Sequence, residues 1–159
     1  RRRHTRSHCD WIADVCSSDL KGIDVLKKSE SQIKGKVVYC LDRSWQDAML
    51  IMKSSDVVVV PSRMESLPTT SKEAFFLKVP VVATNVGGIP ELIKNNETGF
   101  LVKKGDHEEL FEKLEILLND DTMSKKMGNA GRDFISNNFS WEIISRNFKE
   151  KVERHLDLS

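Results

Sequence analysis

Glu65 and Glu73 stand eight positions apart on either side of Pro68, a residue suited to the first position of a helix, where its missing N–H costs nothing. A helix start offers free backbone N–H groups, here from residues such as Thr69 and Thr70, and roughly half a positive charge, so it can meet an anion. Two carboxylates beside that anion site would repel a phosphate placed between them. They suit neutral hydroxyls at the two ends of a ligand, as acceptors of charge-assisted hydrogen bonds. A molecule with hydroxyls at both ends and a diphosphate in the middle is a nucleotide sugar. Spacing alone leaves a plainer reading open, because a glutamate near a helix start is also an ordinary dipole-compatible surface residue.

The elements that must position these residues alternate between strand and helix from Lys21 onward. Ile23 to Lys28 reads as a short helix and Val37 to Cys40 as a strand of β-branched and aromatic residues. Ser44, three residues before Asp47, opens a helix in the manner of a capping box, with Trp45, Ala48, Met49 and Met52 at apolar positions up to Lys53. Val57 to Val60 is a continuous apolar run closed by Pro61, the pattern of a parallel strand buried on both faces. The loop Arg63-Met64-Glu65-Ser66-Leu67 therefore lies at a strand's carboxyl end, and Ala74, Phe75 and Leu77 line the helix after it. Val79 to Ala83 is the next strand, Gly87-Gly88 a turn, Pro90 to Lys94 a short helix and Gly99 to Val102 a short strand.

The last third is helical. Asp106 with Glu109 makes an acidic cap, followed by the stripe Leu110, Leu114, Leu117 and Leu118. Met123, Met127, Ala130 and Phe134 form a second stripe, and Trp141, Ile144, Phe148 and Val152 a third; all three predict core packing. The order implies an α/β fold, a doubly wound Rossmann-like parallel sheet with C-terminal helices, whose ligands bind outside the carboxyl ends of the strands.

Residues 21 to 156 resemble the C-terminal domain of glycosyltransferase family 4, the group 1 transferases, so the domain is expected to be one half of a GT-B fold. The match is carried by Pro61-Ser62-Arg63-Met64-Glu65-Ser66-Leu67-Pro68, by the spacing of Glu65 and Glu73-Ala74, and by Val79-Pro80-Val81-Val82-Ala83-Thr84. Gly87-Gly88-Ile89-Pro90-Glu91, Thr98-Gly99-Phe100-Leu101-Val102 and Phe139-Ser140-Trp141 extend it. The resemblance implies that Glu65 bonds hydroxyls of the transferred sugar and that Glu73 holds the ribose. Backbone N–H groups of Ser66, Leu67 and Thr69 would contact the sugar and its phosphates. Lys21-Gly22 resembles the family's Lys-Gly pair, whose lysine neutralises the leaving diphosphate and stabilises charge on the departing oxygen.

The sequence departs from the family where Ser66 and Pro68 replace glycines. Pro68 completes the implied donor site, yet it offers no N–H to a phosphate. Tyr39-Cys40-Leu41-Asp42 lacks the glycine usual after the second strand, and the arginine expected before the Lys-Gly pair is missing.

Composition sets limits on function. The net charge is +1, which argues against a protein that holds nucleic acid on a general basic surface. No apolar run approaches the roughly 20 residues needed to cross a bilayer. The odd, widely spaced set Cys9, Cys16 and Cys40 makes neither a disulfide framework nor a zinc pattern, which leaves a reducing cytoplasmic setting as the default. Residues 1 to 20 hold four Arg and three Asp and have neither helical nor strand period; without them 21 basic residues face 21 acidic ones. They resemble a translated sequencing adapter and are expected to be a non-native, disordered leader; the alternative is a basic arm for nucleic acid or anionic lipid.

The implied parent is a retaining, metal-independent glycosyltransferase without a cofactor. It passes a sugar from a nucleoside diphosphate donor to an acceptor that is a glycan, a lipid or a small molecule. Residues 21–159 would be its donor-binding domain, with the N-terminal acceptor domain and the domain's first strand absent. That absent half would decide any peripheral association of the parent with the inner face of the membrane. Another GT-B enzyme, such as a nucleotide-sugar epimerase or a phosphorylase, and a non-catalytic interaction domain reusing the fold remain as alternatives.

Overall fold

The computed structural model describes residues 10–14, 22–30, 32, 33, 35–40 and 43–155. Five strands run β1 (Asp10–Asp14), β2 (Lys36–Cys40), β3 (Val57–Val60), β4 (Val81–Thr84) and β5 (Gly99–Val102). They form one wholly parallel sheet in the order β2-β1-β3-β4-β5. Between them lie α1 (Ile23–Glu30), α2 (Trp45–Ser54), α3 (Thr69–Phe76) and α4 (Ile89–Leu92). After β5 come α5 (His107–Asn119), α6 (Asp121–Asn138) and α7 (Trp141–His155).

β3 and β4 are buried on both faces, which explains their unbroken apolar runs. Val57 and Val59 join Val25, Leu26, Leu110, Leu114 and Leu117 in a core on one side. Val58 and Val60 join Ala74, Phe75, Ile89 and Leu92 on the other. The period-two alternation of a strand thus feeds two cores from one tetravaline segment. β4 begins at Val81, two residues later than predicted, because Pro80 has no N–H for the ladder, although its carbonyl accepts from Val58 N at 3.0 Å. The short helix α4 likewise spans Ile89–Leu92 rather than Pro90 to Lys94.

Local cap chemistry fixes the helix starts. The Ser44 hydroxyl accepts from Asp47 N at 3.1 Å and donates to the Asp47 carboxylate at 2.8 Å. Asp106 accepts from Glu109 N at 2.9 Å. Asp120 caps α6 by accepting from Thr122 N and Met123 N. Tyr39 on β2 donates to Glu30 on α1 at 2.7 Å. Partial burial, and then that bond, hold its phenol well above the usual tyrosine range.

Three expectations change. Asp10–Asp14 does not stay outside the fold: it pairs in parallel with β2 on one side and β3 on the other, and it supplies the first strand that was expected to be absent. A gap there would leave two rows of backbone N–H and C=O groups unpaired, and any β-compatible segment that fills it satisfies both. The rest of residues 1–20 lies outside the described residues. The second stripe shifts slightly, for α6 buries Met127, Gly128, Gly131 and Ile135. Gly128 and Gly131 let α6 sit directly on the Lys78 carbonyl and the Phe75 ring. The third stripe is not core. No residue of α7 is buried, and Trp141, Ile144 and Phe148 are exposed, with Phe148 69% accessible. Amphipathic spacing gives a helix an apolar face, but this face has no second layer over it within the described residues.

Candidate functional site

The β2-β1-β3-β4-β5 order reverses direction between β1 and β3, so a crevice opens at the carboxyl ends of those two strands. Gly22, in the turn before α1, and the loop from Pro61 to Pro68 after β3 flank that switch point. They touch. Gly22 has a φ of 64°, and a Cβ on it would overlap the Pro61 carbonyl. Lys21 itself lies outside the described residues; its neighbour fixes the turn against the loop.

The loop is held from several directions. Arg63 donates to Asp24, in the first turn of α1, at 2.6 Å. The buried hydroxyl of Thr84, at the end of β4, donates to the Ser62 carbonyl and contacts the Val60 carbonyl at 3.5 Å. Gly88 N reaches the Glu65 carbonyl at 3.4 Å. Gly87, at φ 53°, and Gly88 lie so close that a Cβ on either would overlap the carbonyl of Glu65 or of Ser66. The Gly-Gly turn after β4 is thus a bed for the glutamate loop.

Glu65 is half-buried. Its carboxylate accepts from Ser66 N at 3.3 Å and from the Ser62 hydroxyl at 3.4 Å. Leu67 packs against the core beneath, while Ser66 and Thr69 are exposed. Pro68 is the N-cap rather than the first helical residue, with Thr69 opening α3. No side chain caps α3, whereas Ser44, Asp106 and Asp120 cap α2, α5 and α6. The Pro68 side chain offers no capping oxygen to the N–H groups at the start of α3.

Glu73 is the fifth residue of α3, so its Cα lies about 6 Å along the axis from the first helical residue, one turn in rather than one and a half. Its partner was not foreseen. Trp45 at the start of α2 donates its indole N–H to the Glu73 carboxylate at 2.9 Å. Trp45 is 61% exposed, although it stands at helical spacing with Ala48, Met49 and Met52. The structure therefore places Glu65, Ser66, Leu67, Pro68 and Thr69 on one braced loop and helix start, with Glu73 one turn along beside Trp45.

Residues 23–134 match the family of glycosyl transferases group 1. The chain belongs to that family. This group 1 glycosyltransferase chain is 40% identical over 98 residues to the capsular polysaccharide biosynthesis glycosyltransferase CapM of Staphylococcus aureus; the match covers 62% of the chain and 26% of CapM. Its fold is that of sucrose-phosphate synthase from Thermosynechococcus elongatus, with a TM-score of 0.85 at 20% identity over 96% of the chain and 46% of that structure. HepE of Anabaena, solved in complex with UDP-glucose, superposes with a TM-score of 0.81 at 19% identity over 92% of the chain and 49% of HepE. The α/β fold with C-terminal helices is thus that of one half of a GT-B fold. The chain spans about a quarter to a third of the length of the first curated relatives it matches.

Proposed function

We propose that the chain is the donor-binding half of a retaining glycosyltransferase and grips one nucleoside diphosphate sugar between Glu65 and Glu73. The single observation that carries this reading is the braced Pro61–Pro68 loop. It holds a carboxylate beside an uncapped helix start at the switch point of the sheet, with a second carboxylate one turn inside the helix. Family membership and the nucleotide-sugar complex of HepE support the choice of ligand.

In this reading Glu65 accepts from hydroxyls of the transferred sugar and Glu73 accepts from the ribose. The N–H groups of Ser66, Leu67 and Thr69 face the sugar and its phosphates. Pro68 presents none, and it orients the turn instead. Lys21, with the helix start, balances the charge that grows on the diphosphate as its bond to the sugar breaks. A loop fixed by backbone contacts needs little rearrangement to do this, which is the advantage of a preorganised site. In this reading the chain uses neither a metal nor an organic cofactor, and retention of configuration follows from the family resemblance.

The acceptor is assigned to residues beyond this chain, together with any contact of the parent with the inner face of the membrane; a cytoplasmic setting is part of the same proposal. Among the described residues no helix is long and apolar enough to cross a membrane. That residues 1–20 are foreign to the domain belongs to the same proposal, although Asp10–Asp14 occupies a strand position in the sheet.

Saturation-transfer NMR with UDP-, GDP- and ADP-sugars tests the proposal. At least one donor should receive saturation from the chain, and Glu73→Ala should abolish it. Absence of binding by every donor would leave a non-catalytic domain as the better reading. The isolated chain should transfer little or no sugar.

A further inference from the structure

We propose that Trp45 completes the donor site: its indole N–H holds the Glu73 carboxylate in place for the ribose, and its exposed ring is the surface on which the nucleobase stacks. This rests on the donor-site reading of Glu73.

Trp45 is the first residue of α2, which follows β2, so it lies at the carboxyl edge of the sheet with the Glu65 loop. Of the other apolar positions of α2, Met52 is buried and Ala48, Met49 and Ile51 pack against the core, whereas Leu50 faces solvent. Trp45 does not join that core. A tryptophan is highly buried on average, and here it is 61% exposed, with its N–H bonded to Glu73 at 2.9 Å.

That bond is charge-assisted and fixes the direction of the carboxylate. It uses one acceptor site on one oxygen and leaves the other oxygen with its lone pairs for ribose hydroxyls. In a nucleotide the base is attached to the same five-membered ring that carries those hydroxyls. A flat apolar surface bonded to the carboxylate that grips the ribose is therefore within reach of the base. Stacking accepts any base, because every base presents a π-face, so Trp45 supplies affinity for the nucleotide end of the donor without selecting the nucleotide.

The test uses the full chain, UDP-glucose, and saturation-transfer NMR that compares uracil protons with glucose protons. Wild type should saturate the uracil protons strongly. Trp45→Ala should weaken UDP-glucose binding about tenfold or more, the usual scale for loss of a stacked base. It should also deplete the uracil signal relative to glucose, with thermal melting unchanged because the side chain is exposed. Trp45→Phe, which keeps a ring and loses the N–H, should restore the uracil signal and recover only part of the affinity. Affinity and proton pattern unchanged in Trp45→Ala, alongside lost binding in Glu73→Ala, would overturn the role of Trp45 and leave the donor site standing. A Phe variant that matches the Ala variant would overturn the stacking role. Wild type that binds no nucleotide sugar would overturn both readings.

Discussion

Gly87 lies against the backbone of Glu65 so closely that one added methyl group would overlap the Glu65 carbonyl oxygen. The turn after β4 and the loop after β3 are therefore in backbone contact. The position of the Glu65 carboxylate is set by a glycine on another crossover. Gly88 repeats the contact one residue further on, against Ser66.

Gly87→Ala should thus damage both stability and binding. The φ of 53° alone costs a non-glycine residue roughly 1–2 kcal/mol, and the overlap forces the Glu65 loop to move as well. Gly105→Ala is the control: its φ of 79° carries a backbone penalty, but nothing lies within 4 Å of an added Cβ. Both variants should melt lower. Only the Gly87 variant should lose affinity for UDP-glucose, by about tenfold or more if the loop must shift by an ångström. Equal affinity in the two would show that the turn does not position the loop.

Thr84 is 1% exposed and carries the hydroxyl that reaches the Ser62 and Val60 carbonyls. Thr84→Val keeps the shape and removes the donor. Urea unfolding should show a loss of roughly 1–3 kcal/mol, the cost of removing a buried hydrogen bond to the Ser62 carbonyl. Thr84→Ser keeps the hydroxyl and should lose less.

Lys78 follows α3 with a φ of 62°, a left-handed conformation that glycine adopts without a steric penalty. Its N–H already bonds the Phe75 carbonyl at 2.9 Å, so the helix end is formed and only the side chain is misfit. Lys78→Gly should stabilise the chain by about 1 kcal/mol in thermal or urea unfolding. It should leave donor affinity unchanged, since the position is remote from the Glu65 loop in sequence and lies at the far end of α3.

What could be read from the residues divides by the range of the interactions. The strand Val57–Val60 was legible because burial on both faces leaves a continuous apolar run, and the caps at Ser44 and Asp106 because their chemistry is complete within four residues. The exposure of the α7 stripe, expected in the core, and the carboxylate partner of Trp45 are illegible in the residues for one reason. Helical spacing shows that a face is apolar and says nothing about what lies opposite it. For Trp45 the answer was a carboxylate on α3, and for Trp141 and Phe148 it was solvent. Gly87-Gly88 read correctly as a turn, but its service as a bed for Glu65 is a tertiary contact between two crossovers. The strand at Asp10–Asp14 is an extreme case: its place comes from the open slot between β2 and β3 more than from any pattern of its own.

The most direct measurement compares the dissociation constants of UDP and UDP-glucose for wild type, Glu65→Ala and Glu73→Ala by calorimetry. If the two carboxylates grip opposite ends of one donor, Glu73→Ala weakens both ligands alike, whereas Glu65→Ala leaves UDP untouched and removes the extra affinity contributed by the glucose. Equal losses of UDP affinity in the two variants, or no loss in either, would contradict it.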